Sequence, residues 1–228
     1  GTRLTQAATV KRIADTFPDV WCTVGIHPHQ AAEAPIPTVE AFVALADHPK
    51  VVGIGEAGLD YHYDRAPRDI AAEVFRRQIR AARITGLPLV IHARDADADL
   101  AAILTDEHAQ GGAFPFVLHC FSSGRALAET GVALGGSVSF SGILTFRRSD
   151  DLRALARDLP ADRLLVETDA PFLAPEPFRG KRCEPAMVAH TAAALAAVRG
   201  VSVAEIAALT TANAARLFAR LRLPAAVS

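Results

Sequence analysis

The chain has 228 residues, half of them hydrophobic, and a formal net charge of −1. That length and composition support one large core, so a single domain over residues 1–228 is expected. The near-neutral balance excludes a wholly basic nucleic-acid-binding body and leaves only a local cluster to supply such affinity. No run of about 18 apolar residues and no basic-then-apolar opening segment is present, so no membrane partner is expected and a cytoplasmic protein follows. Three cysteines, Cys22, Cys120 and Cys183, share no CxxC spacing, and an odd number predicts reduced thiols.

Taken in order, residues 2–17 read as a helix from their apolar spacing, with Pro18 just beyond. Residues 20–26 read as a strand leading into Gly25-Ile26-His27-Pro28-His29, and a helix over 38–47 follows a proline-rich loop. The stretch VVGIGEAGLDYHY at 51–63 begins as a β-forming run and carries Glu56 at its end, inside a turn flanked by Gly55 and Gly58. A helix over 67–85 should bury Ile70, Val74, Ile79 and Ala82 and close at Gly86.

Strands over 88–92, 115–120, 137–141 and 163–168 come next, the first three separated by helices near 98–108 and 125–134. The tail reads as helices over 185–199, 202–209 and 212–220, the second opened by a capping box of Ser202 and Glu205. The strands are short and nearly continuously apolar, the pattern of a parallel sheet buried on both faces. Alternating βα units predict an α/β fold, a TIM-type (β/α)8 barrel. Six strands are visible where closure takes eight, and Gly1-Thr2 leads straight into a helix, so the first one to two strands are expected to be missing from this chain.

A histidine or carboxylate stands at or just past five strand ends: His27, Glu56, His92, His119 and Asp169. In a parallel barrel those ends share one face, so Glu56, His92, His119 and Asp169 are expected to gather at one mouth as a metal or catalytic site. Imidazoles mixed with carboxylates suit divalent Zn, Mn or Mg. Lys11, Lys50 and Lys181 all fall away from strand ends, which leaves Glu56 as the candidate bridging ligand. His29, His48, His62, His108 and His190 read as structural.

The segments GIHPH at 25–29, GEAGLDY at 55–61, IHARDA at 91–96, LHCFSS at 118–123, SFSGILTF at 139–146, ETDAPFLAP at 167–175 and TTANAARLF at 210–218 occur in a fixed order through the chain. In that series the sequence resembles the TatD-type metal-dependent deoxyribonucleases of the amidohydrolase-like barrels. The resemblance implies two divalent ions, with Glu56 bridging, His92 and His119 on one ion, and Asp169 on the other and beside the attacking water. It also implies that His27 faces the scissile phosphate. Cations neutralise the charge that builds up on phosphorus, and an aspartate can take the water's proton.

The expected partner is DNA, at single-stranded or frayed ends. Arg94, with Arg147, Arg148, Arg179, Lys181 and Arg182, offers a locally basic rim, in which Arg94 and Arg179 are the candidate substrate contacts. The sequence departs from the family pattern twice. No His-x-His pair precedes Val20, and Cys183 stands where the family usually has asparagine. Two readings of function therefore stand side by side. One is a phosphodiesterase trimming DNA, with a hydrolase of another ester, such as an aminoacyl-tRNA bond, as its close variant. The other is a truncated, catalytically impaired metal-binding scaffold.

Overall fold

The computed structural model describes residues 1–33 and 35–221. It consists of two compact units, one comprising Gly1–Val117 and the chain from Ala215 onward, the other Leu118–Ala214.

In the first unit α1 (Ala7–Thr16), β1 (Cys22–Val24), α2 (Val39–Ala46), β2 (Val51–Asp60), α3 (Arg68–Thr85), β3 (Leu89–Arg94) and α4 (Asp97–Gly111) alternate. β1 pairs parallel with β2, and β2 with β3. Nine of the ten β2 residues are buried, as expected of a strand covered on both faces. The helix α3 covers this sheet with Val74, Phe75, Ile79 and Ala82, all at most 1% exposed, while Ile70 is only partly buried. Its last turn ends at Gly86, whose φ of 67° suits a residue without Cβ.

One element differs from the sequence reading here. β2 does not stop at Glu56 but runs on to Asp60. Its register against β3 is irregular: Ile54 lies opposite Leu89 and Ala57 opposite Ile91, so three steps on β2 match two on β3. The extra residue is accommodated as a bulge, which turns Glu56 without ending the strand. Regular pairing then resumes with Gly58 opposite His92 and Asp60 opposite Arg94. A Cβ on Gly58 would collide with the His92 carbonyl oxygen, and φ there is 124°. Glycine is what lets the two strands approach at that level.

The chain enters the second unit through β4 (Phe116–Leu118). There α5 (Arg125–Ala133), β5 (Ser137–Phe140), α6 (Asp150–Asp158), β6 (Leu164–Val166), α7 (Val188–Arg199) and α8 (Val203–Leu217) follow. β5 and β6 pair parallel, with Phe140 opposite Val166. Phe121, Phe140, Leu144 and Leu195 are at most 1% exposed and centre its core. The helix α6 has no counterpart in the sequence reading, although Leu152, Leu155 and Ala156 do form its buried stripe.

The tail is also simpler than expected, because α8 is one helix where the sequence suggested a break near Thr210 and Thr211. Two β-branched residues weaken local helix preference. The Thr210 hydroxyl donates to the Ile206 carbonyl at 2.8 Å, and the Asn213 amide donates to the carbonyls of Ala161 and Leu164, both at 2.9 Å. Those bonds hold the helix through the weak point. The predicted capping box is present, with the Ser202 N–H donating to Glu205 Oε2 at 2.8 Å and the Glu205 N–H to Ser202 Oγ at 3.2 Å. No single helix among the described residues is long and apolar enough to cross a membrane.

Candidate metal centre

In the first unit His27, Glu56 and His92 converge so that one potential ligand atom from each lies within 4.8 Å of the others. Each arrives from a different element. His27 follows β1 by three residues, Glu56 sits in the β2 bulge, and His92 is the fourth residue of β3. The segment carrying His27 is fixed from below by Gln78 of α3, itself 1% exposed. The Gln78 side chain accepts from the Ile26 N–H at 2.9 Å and donates to the Ile26 carbonyl at 3.0 Å. A buried amide that satisfies both backbone groups of the preceding residue leaves His27 little freedom.

Hydrogen bonding sets which imidazole nitrogens are available. His27 Nδ1 accepts the His29 N–H at 3.1 Å. A neutral His27 therefore carries its proton on Nε2, the nitrogen 3.5 Å from Glu56 Oε1. It is a donor pointing into the cluster and not a lone pair pointing at a cation.

His92 has the opposite arrangement. Its Nε2 lies 3.0 Å from Asp60 Oδ2, and its Nδ1 lies 3.2 Å from Glu56 Oε1. Asp60, whose side chain is 1% exposed, also meets His29 Nε2 at 2.9 Å and accepts the Tyr63 N–H at 2.9 Å. Burial alone would raise the Asp60 carboxyl, but the bonds from Tyr63, His29 and His92 outweigh it and hold the group below its usual range. An ionised Asp60 can only accept, so both imidazoles present Nε2–H to it. The His92 Nδ1 lone pair is thereby left facing Glu56. His29 itself is pushed below its ordinary value, chiefly by burial, which keeps it neutral near pH 7.

The donor set fits a divalent cation. A carboxylate oxygen and an imidazole lone pair 3.2 Å apart can share one ion at bond lengths of about 2.0–2.2 Å. A carboxylate behind the ligating imidazole is the usual device for fixing its tautomer and orientation.

In the second unit His119 follows β4 directly, and Glu167 and Asp169 follow β6. His119 Nδ1 is 3.3 Å from Glu167 Oε1, with side chains 12% and 25% exposed. The Glu167 oxygen is buried and makes no aligned hydrogen bond, so the two groups are near neighbours only. The Asp169 carbonyl accepts the Phe172 N–H at 2.7 Å, which closes a tight turn just after the carboxylate. Cys183, 3% exposed, donates its N–H to the Pro171 carbonyl at 3.0 Å. Burial pushes its thiol up, leaving it a neutral loop anchor.

The expected substrate contacts are both found against aromatic rings. The Arg94 guanidinium lies 4.8 Å from the Tyr63 ring centre, and that of Arg179 lies 4.3 Å from the Phe146 ring centre. A cleft of about 810 Å³ lined by Arg147, Arg148 and Arg179 opens beside Phe146 in the second unit.

Asp60 and Gln78 escaped the sequence reading, and His29, read there as structural, is found holding Asp60. Asp60 and His29 stand in quoted motifs, GEAGLDY and GIHPH, but only the fold shows that they meet at His92. Gln78 carried no local signal. His48, by contrast, is structural as expected: its Nδ1 accepts the Lys50 N–H at 3.2 Å, and its Nε2 is 3.4 Å from Asp15.

Comparison with known proteins gives a consistent picture. The family described as TatD related DNase matches residues 1–219. The uncharacterized metal-dependent hydrolase YabD of Bacillus subtilis is 42% identical over 201 residues, 87% of this chain and 77% of its own length. The 3'-5' ssDNA/RNA exonuclease TatD of Citrobacter rodentium is 36% identical over 225 residues, 96% of this chain and 84% of its own. Among solved structures, the Escherichia coli TatD homologue YJJV superposes with a TM-score of 0.87 at 29% identity, covering 98% of this chain and 85% of that one. The α/β fold of TIM-barrel type expected from strand alternation is therefore the fold of this chain.

Proposed function

Since the chain belongs to the TatD-related DNase family, a family of metal-dependent hydrolases, we propose that it hydrolyses phosphodiester bonds of DNA from single-stranded or frayed ends. The observation that carries this reading is the Asp60–His92–Glu56 arrangement, in which a buried carboxylate turns the His92 Nδ1 lone pair towards a second carboxylate 3.2 Å away. That is a ligand pair prepared for a cation.

In this reading Glu56 and His92 of the first unit would hold a divalent ion, Zn, Mn or Mg, and His119 and Asp169 are the second unit's own candidate ligands for such ions. Such ions would supply Lewis acidity and lower the pKa of water towards neutrality. The remaining work falls to side chains. Asp169 orients the attacking water and takes its proton. His27, whose Nδ1 is engaged by the His29 N–H, directs its Nε2–H at a phosphate oxygen. Arg94 and Arg179 pair with backbone phosphates, contacts that bind a strand without reading its sequence. The protein acts in the cytoplasm, a compartment suited to three thiols that no disulfide joins among the described residues.

The test is incubation of end-labelled single-stranded DNA with purified protein and Mg, Mn or Zn. Shortening from one end that Glu56→Gln abolishes is the expected result. Wild-type protein that shortens DNA with none of the three metals, yet hydrolyses an aminoacyl-tRNA ester, would overturn it.

A further inference from the structure

Tyr63 lies three residues past the end of β2, beside the metal-ligand cluster, and the ligand scheme above leaves its side chain unused. Its ring is exposed on a surface where it is nonetheless held in place: the residue keeps half of its accessible area. The backbone N–H is bonded to Asp60 Oδ1 at 2.9 Å, so the position is tied to the carboxylate that orients His92. The ring packs edge-on against His29 at 5.2 Å and against His62 at 4.9 Å, with interplanar angles of 89° and 90°. His62 is in turn anchored by Asp95 at 3.0 Å. The left-handed Asp64, at φ 46°, then turns the chain so that Arg65 comes back over the ring at 5.4 Å. Arg94 reaches it from the end of β3 at 4.8 Å.

Neither Arg65 nor Arg94 forms an ion pair with a carboxylate among the described residues. Two guanidinium groups thus crowd one half-exposed ring with their anion-binding edges unused. Structural arginines in the same unit behave differently: Arg76 and Arg80 are both paired to Glu107, at 3.2 and 2.8 Å. From the ring a short path leads to the centre, through His29 to His27 at 4.4 Å between ring centres.

An aromatic face with cations beside it is what an unpaired nucleotide binds: the base stacks on the ring, and the guanidiniums take its phosphates. Inside a duplex both faces of a base are covered by its neighbours, and a paired end offers only its outer face with its phosphates fixed in helical geometry, so the same surface holds a paired end less well. We propose that Tyr63, with Arg65 and Arg94, is the stacking platform for a nucleotide flanking the scissile bond, and that it selects unpaired strand ends. This rests on the phosphodiesterase reading above. It adds Tyr63 and Arg65 to the substrate surface.

The experiment uses the full chain and fluorescence anisotropy of labelled single-stranded oligonucleotides in EDTA, which prevents cleavage. Tyr63→Ala should weaken binding roughly 5- to 150-fold, the range for loss of one stacked base, and Tyr63→Phe should bind as wild type. A single abasic nucleotide moved along the terminal positions should weaken wild-type binding at one position by a similar factor. At that position it should cost Tyr63→Ala nothing more.

If wild type cleaves and binds DNA but Tyr63→Ala binds equally well, or the two losses add at every position, the platform is wrong while the nuclease reading stands. If wild type neither binds nor cleaves, the nuclease reading has failed and the platform with it. Should Tyr63→Ala not fold, the abasic scan on wild type still decides, since no position of loss overturns the platform.

Discussion

Replacing Asp60 by asparagine changes one atom and removes one charge, and it tests the logic of the centre directly. The carboxylate, 1% exposed, receives the Tyr63 N–H and the Nε2–H of His29 and His92 at 2.9–3.0 Å. An asparagine there keeps one acceptor oxygen, and its amide must point donors at the imidazoles. His92 then turns to the tautomer with its proton on Nδ1, and the lone pair facing Glu56 is lost. Hydrogen bonds to a charged group contribute about 1.5–3 kcal/mol and neutral ones about 1, so two weakened bonds cost roughly 1–4 kcal/mol of folding stability. Loss of an orienting carboxylate behind a ligating histidine weakens metal binding by about 10–100-fold.

Competition with a chromogenic chelator for Zn or Mn gives the affinity, and the nitrogen chemical shifts of the imidazoles, read by NMR, give the tautomer. Unchanged affinity, within about twofold, together with an Nε2–H tautomer at His92 would refute the reasoning.

Three further outcomes are expected. Gly58→Ala places a Cβ against the His92 carbonyl at a φ of 124°, and chemical denaturation should show a loss of about 2 kcal/mol or more. Acidification should destabilise the metal-free protein. Burial holds His29 below its ordinary 6.5 and hydrogen bonding holds Asp60 below 3.8, so on lowering the pH the unfolded chain takes up both protons before the folded one does. Stability should therefore be full above pH 6.5, fall first through the His29 window and then, below 3.8, through that of Asp60. Denaturation midpoints measured from pH 7.5 to 5 should drop less steeply in His29→Gln. Finally, binding of single-stranded DNA should weaken with salt. Arg94→Ala and Arg179→Ala should each lower the slope of log K against log salt by about 0.7, without changing sequence preference.

Much of the fold could be read along the chain because its signals are local. Short apolar runs separated by helix-spaced stripes give parallel strands in alternation, and Gly86 and the Ser202–Glu205 pair mark a helix end and a helix start that the structure reproduces. The α6 helix was hidden because Asp150–Asp158 is short and mostly charged, with its apolar residues meaningful only against a core. The break expected near Thr210 followed local propensity, which bonds from distant carbonyls overrode.

Which residue types stand at strand ends is a property of the sequence, and so His27, Glu56 and His92 could be named from it. Only the tertiary structure decided how they are presented: the β2 bulge that turns Glu56 midway along a strand, and the buried Asp60 that joins His29 to His92. The difference is physical. Secondary structure is set by neighbours in the chain, whereas an imidazole's tautomer is set by whatever the folded backbone brings within 3 Å of it.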